Sequence, residues 1–163
     1  MILSEDEAWM YLQATTMNVW SPCGQTPIVR VDPGRSKAGF YGTLDLKTGH
    51  EIVTGSPVFN AEVGAQHLQQ VLDAFPGRPI LFFWDRAPWH RGEPIRRVLV
   101  ANPRLEIMEY PVAAPELNPQ EQVWKHTRRA VSHNHITPRL PKLARLTLPR
   151  FDGQKKCQGQ ASC

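Results

Sequence analysis

Ile80-Leu81-Phe82-Phe83-Trp84 is a run of five apolar residues that stops abruptly at Asp85. A run without polar alternation reads as a strand inside a sheet, covered on both faces. A carboxylate directly behind it is costly to hold beside an apolar core unless a cation or hydrogen-bond donors meet it. Upstream, Asn60 is a good N-cap, and Val63, His67, Leu68, Val71, Leu72 and Phe75 share one face of a helix that ends before Pro76-Gly77. That helix crosses over to the Ile80 strand.

Further toward the N-terminus, strands Phe40 to Leu46 and Glu51 to Val58 flank Lys47-Thr48-Gly49-His50, a hairpin turn. Ser21 to Pro27 supplies chain breakers before a brief apolar run, Ile28 to Val31. A first strand, Met1 to Asp6, ends in the acidic triplet Glu5-Asp6-Glu7, and Trp9 to Gln13 is its continuation or its partner. Downstream of Asp85, a helix over Pro94 to Ala101 precedes a strand over Leu105 to Tyr110, and a third helix runs from Asn118-Pro119 toward Ala130. The order β-β-β-α-β-α-β-α predicts an α/β fold, a mixed sheet with flanking helices. Thr137 to Leu148, interrupted by Pro138 and Pro141, supports only a weak helix. Residues 153–163, rich in Gln, Lys, Gly and Ser, read as disordered. The expected division is a folded domain over 1–135 and a basic tail over 136–163.

With 163 residues, 41% hydrophobic and 21% charged, the chain fits one domain of ordinary size. No apolar run reaches the ~18 residues of a membrane span, and the acids near Met1 are unlike a signal peptide. No membrane partner is expected, and the expected location is the cytoplasm. Cys23, Cys157 and Cys163 are odd in number and far apart, which argues against a disulfide framework or a zinc knuckle. Charge is segmental: residues 1–121 carry 10 Lys and Arg against 14 Asp and Glu, whereas residues 122–163 carry 9 against Asp152 alone. A basic tail of this kind suits a polyanion, since each cation that meets a phosphate releases a condensed counterion. It equally suits a solvated face.

In a mixed α/β sheet, polar groups at the C-terminal ends of inner strands line the crevice where ligands bind. Asp6 and Asp85 are both read at such ends. Two like charges at 4 Å repel by about 4 kcal/mol at an effective dielectric near 20, which a hard divalent cation would relieve. The competing reading has Asp85 satisfied by backbone amides or by Arg86. Glu121 is a third acid: Asn118 as N-cap, Pro119 at the first helical position and Glu121 two residues on make a box-like cap. The same geometry points the Glu121 carboxylate toward the mouth of the sheet. His133-x-His135 has a metal-like spacing but lacks a third ligand. No Ser-His or Cys-His pair suggests a covalent nucleophile.

Four segments occur in order: Asp6-Glu7; Trp20-Ser-Pro-Cys-Gly-Gln-Thr-Pro27; Trp84-Asp85-Arg86-Ala87-Pro88-Trp89-His90; and Pro115-Glu116-Leu117-Asn118-Pro119-Gln120-Glu121-Gln122-Val123-Trp124. Together they resemble the DDE catalytic domain of Tc1/mariner-type transposases, in particular the IS630 family of bacterial insertion sequences, over roughly residues 1–135. The resemblance implies a ribonuclease-H-like fold. It implies Asp6, Asp85 and Glu121 as catalytic, metal-binding acids for two Mg2+ or Mn2+ ions, and two-metal phosphoryl transfer in DNA cleavage and strand transfer. It makes His90 a group that supports these acids or contacts DNA. Asn118 then shapes the loop and caps the helix, and Arg128 and Arg129 stand where they could meet phosphates. The implied partners are DNA, as transposon ends and target, and a second copy of the chain; the implied setting is the nucleoid.

Family members carry helix-turn-helix modules before the first Asp, whereas here it is residue 6, so a separately encoded helix-turn-helix half is a further expected partner. The final residues, 152–163, are unlike the family's closing helix and read as a frameshifted or truncated tail. Two alternatives share parts of this pattern. One is an inactive, DNA-binding transposase remnant driven by residues 122–163, and the other a nuclease for RNA–DNA hybrids.

Overall fold

The computed structural model describes residues 1–11, 20–26, 28, 37–112 and 114–131. Val29 to Val31, the helix expected over 137–148, His133, His135, the tail over 153–163, Cys157 and Cys163 lie outside the described residues. Cys23 is exposed and free. The elements run β1 (Ile2–Tyr11), β2 (Lys37–Asp45), β3 (Glu51–Ser56), α1 (Ala61–Ala74), β4 (Ile80–Trp84), α2 (Glu93–Ala101), β5 (Leu105–Glu109) and α3 (Pro119–Val131), with short 3-10 turns at Pro88–His90 and Pro115–Leu117. The predicted element order is the observed one. The five strands form a mixed sheet in the order β3-β2-β1-β4-β5, with β1, β2 and β3 an antiparallel meander and β4 and β5 parallel to β1.

Local chemistry explains the joints. Between β2 and β3, Asp45 accepts from Lys47 N–H (2.9 Å) and Thr48 Oγ1 (2.7 Å), and Gly49 takes the left-handed φ of 72° that closes the turn. Asn60 caps α1 by accepting from Val63 N–H at 2.9 Å. A parallel neighbour cannot be reached by a hairpin, so α1 carries the chain across the sheet to β4.

Two corrections to the strand reading bear on function. β1 does not end at Asp6: it runs through the triplet, because Glu5, Asp6 and Glu7 pair with Thr43, Gly42 and Tyr41 of β2. Trp9 to Tyr11 is its continuation. Asp6 is therefore within β1, yet it stands level with the end of β4, whose parallel pairing with β1 runs only to Ser4↔Phe83. Second, β4 is not covered equally on both faces. Ile80, Phe82 and Trp84 are buried, but Leu81 and Phe83 are only half-buried. The reason is helix placement. One face of the sheet packs Leu3, Ile52, Phe82 and Trp84 against Leu68, Val71, Leu72 and Ile95 of α1 and α2, while α3 sets Trp124 over Ala8, Met10 and Phe40 of β1 and β2.

Candidate active site

Side chains alternate along a strand, so the acidic triplet divides between the two faces of the sheet. Asp6 falls on the α3 face with its cross-strand partner Gly42, against which Trp124 packs. Glu5 and Glu7 fall on the other face, where both meet His90. Asp85, just past β4, stands at the boundary between the two.

On the α3 face, Asp6, Asp85, Tyr110, Asn118, Glu121 and Arg128 line an open cavity of about 320 Å³, with Glu7 at its wall. Burial, then the charges of Glu7, Asp85 and Glu121, raise the Asp6 carboxyl to about 7. Asp85 is held below the usual carboxylate range by its hydrogen bond from His90, helped by Ala87 N–H at 2.8 Å from Oδ1. The backbone-amide reading of Asp85 thus holds, though Arg86 pairs with Glu109 (3.1 Å) instead.

Glu121 reaches the cavity on a helix start fixed to the sheet. Asn118 is buried; its Oδ1 accepts from Gln120 N–H (3.1 Å) and from Ser4 Oγ (2.8 Å), and its Nδ2 donates to Glu5 O at 3.3 Å. Ser4 in turn meets the Tyr110 hydroxyl at 2.9 Å, joining β1, α3 and the end of β5. The expected box-like cap is only half present. The Asn118 N–H donates to Pro115 O at 3.1 Å, which removes the need for Glu121 to cap, and the Glu121 carboxylate pairs with Lys125 at 3.5 Å. Asn118 thus shapes and caps, as read.

His90 is 6% exposed on the 3-10 turn after β4. Its Nδ1 faces Asp85 O at 2.9 Å and Asp85 Oδ1 at 3.3 Å, and its Nε2 faces Glu7 Oε1 at 3.0 Å and Glu5 Oε2 at 3.5 Å. Against the desolvation that burial imposes, the bonds to Asp85 and Glu7 and the charges of Glu5 and Glu7 raise it to about 11. One donor atom each from Glu5, Glu7 and His90 lie within 4.8 Å of one another, a spacing a metal ion could use. The charged imidazole already serves as the cation there. Burial and the neighbouring Glu7 push Glu5 well above the usual carboxylate range, and neither of its buried oxygens has a hydrogen-bond partner among the described residues.

Arg128 lines the cavity, whereas Arg129 faces a separate groove of about 350 Å³ along α3, with Gln122, Lys125, His126 and Arg128. Glu5, Glu7 and Trp89, whose Nε1 donates to Glu7 Oε1, were not singled out from the sequence. The signal was present: alternation alone sets Glu5 and Glu7 opposite Asp6.

No helix among the described residues is long and apolar enough to cross a membrane. No curated protein matches the chain. Similar solved structures include the Mos1 transposase paired-end complex with left transposon end (18% identity, 89% of this chain and 46% of that one, TM-score 0.68). The catalytic domain of Mos1 mariner transposase is 15% identical over 89% of this chain and 66% of that one, with a TM-score of 0.61. A simian T-cell lymphotropic virus intasome in complex with PP2A regulatory subunit B56 gamma is 10% identical, over 90% and 46%, at 0.62. The chain therefore spans less than half of the chains in those two assemblies, and the shared architecture is the ribonuclease-H-like mixed sheet. The sequence profile of the DDE superfamily endonucleases matches residues 1–144, most of the chain, and to that family the chain belongs.

Proposed function

We propose that this chain is the catalytic domain of a transposase, cutting DNA strands and transferring the freed end to target DNA with the help of divalent metal ions. The observation that carries this reading is the convergence of Asp6, Asp85 and Glu121, from three different elements, on one open cavity. Their donor set fits Mg2+ or Mn2+: hard carboxylate oxygens, few enough to leave room for water and a phosphate. Burial first, and then the charges of Glu7, Asp85 and Glu121, lift Asp6 to about 7, and a cation at the cavity would offset both the desolvation and the repulsion. Among the solved structures that the chain resembles are Mos1 paired-end complexes described with Mn and with Mg. When bound, two such ions supply activation of a water or 3′-hydroxyl and stabilisation of the leaving oxygen.

The chain's own residues do the rest. Asp6, Asp85 and Glu121 hold the ions, and Asp6 must release its proton to do so. Ala87 N–H and His90 orient Asp85, and Asn118 anchors the helix that carries Glu121. Arg128 at the cavity, with Arg129 and Lys125 along the adjoining groove, presents cationic groups to a phosphate backbone. Paired transposon ends call for two copies of the chain, and recognition of those ends for a helix-turn-helix module.

The test is Mn2+-dependent nicking of supercoiled plasmid by the purified chain beside Asp85→Asn and Glu121→Gln. Both variants should stay folded and lose nicking by roughly 10³-fold or more. Nicking that survives in both would refute the assignment. Wild-type chain that binds DNA in a salt-sensitive way, yet never nicks it, would indicate a binding function alone.

A further inference from the structure

We propose that Glu7 is a positioning residue, which acts through His90 to fix the orientation in which Asp85 meets a divalent cation. The proposal rests on the reading of Asp85 as a metal ligand. It goes beyond that reading by giving a role to an acid on the opposite face of the sheet from Asp6.

The geometry is a continuous relay around the end of β4. Glu7 Oε1 receives two donors, Trp89 Nε1 and His90 Nε2, the latter at 3.0 Å. The other ring nitrogen, Nδ1, faces Asp85 O and Oδ1. Both nitrogens face acceptors, so both carry hydrogens and the ring donates in two directions at once. The ring also lies flat on Trp84, with centroids 4.4 Å apart and planes within 7°. Stacking fixes the plane of the imidazole, and Glu7 fixes its rotation within that plane. Together they determine where Nδ1–H points, and with it the Asp85 carboxylate oxygen that Nδ1 and Ala87 N–H share.

A purely structural role is a poor account of Glu7. Its side chain is 5% exposed, and a carboxylate buried beside Glu5 and Asp6 raises the cost of assembling the acids. What the cost secures is a defined ligand geometry. Groups that orient a metal ligand from behind typically change metal affinity 10–100-fold when removed.

The experiment measures Mn2+ binding directly, by the free-ion electron paramagnetic resonance signal, for the full chain, Glu7→Gln, His90→Gln, the double variant and Asp85→Asn, with thermal unfolding of each. Glu7→Gln should weaken Mn2+ binding 10–100-fold, and the double variant should be no weaker than His90→Gln alone. Glu7→Gln binding as tightly as wild type, or a loss in the double variant equal to the two single losses multiplied, overturns the proposal. If Glu7→Gln does not fold, Trp89→Phe removes only the indole donor to Glu7: a severalfold weaker affinity supports the relay and an unchanged one overturns it. Wild type and Asp85→Asn binding alike would instead sink the metal-ligand reading, and the relay with it.

Discussion

His67 shows what a histidine does when it is not near the acids. It is buried on α1 between Thr43 Oγ1 at 2.8 Å and Thr54 Oγ1 at 2.7 Å, and burial lowers it to about 3. In the unfolded chain a histidine titrates near 6.5. The unfolded state therefore binds the extra proton between those values, and the stability present above about pH 6.5 is lost as pH falls toward 3. Asp6 acts with the opposite sign: raised to about 7, its contribution is present below the ordinary carboxylate range and fades as pH rises through 7. Only a difference between variants separates them. Urea unfolding of wild type and His67→Gln at pH 7.5 and pH 5 should show wild type losing about 2 kcal/mol relative to the variant. A difference that does not change with pH would mean that His67 takes up its proton over the same pH range in the folded and unfolded chain.

At the scale of elements, the position of α3 depends on one missing side chain. A Cβ on Gly42 would lie 2.5 Å from Gln120 Nε2 and closer still to Trp124 Cζ2, so only glycine lets the helix bearing Glu121 lie this close to β2. Gly42→Ala should cost about 1–3 kcal/mol and, by displacing α3, reduce nicking more than that cost predicts. Gly55→Ala, whose Cβ would meet Phe40 no closer than 3.7 Å, is the control and should leave nicking unchanged. Equal nicking in the two variants would show that Glu121 does not depend on this contact. Much of this scale was legible in the sequence. The apolar face of α1, the abrupt end of the Ile80 run and the Asn118-Pro119 helix start are local signals, written in neighbouring residues. The course of β1 was not, because three consecutive acids look like a strand end until β2 is known to pair with them. The true partner of Glu121 was hidden for the same reason: whether a cap needs it depends on the turn at Pro115–Leu117, which satisfies the Asn118 N–H first.

For the whole molecule, a cation held by Asp6, Asp85 and Glu121 in the folded state alone would add stability by mass action. At a Mn2+ concentration 100 times its dissociation constant, mass action adds about 2.7 kcal/mol, or a rise in Tm of roughly 5–10 °C. Thermal unfolding with and without Mn2+ should show that rise in wild type and none in Asp85→Asn; an equal rise in both would place the ion elsewhere. One further consequence follows from the way β1 divides Glu5, Asp6 and Glu7 between the faces of the sheet. The strand works as a parity code: the odd positions, Glu5 and Glu7, meet the imidazole, and the even one, Asp6, faces α3, with Glu7 also reaching the cavity wall. In charge the triplet is uniform and would tolerate being shifted, but in parity it would not. A single-residue insertion or deletion ahead of Glu5, with the pairing to β2 kept, would turn every acid to the wrong side. It would leave composition, net charge and strand propensity almost untouched, and set a glutamate in the register where Asp6 now faces the cavity.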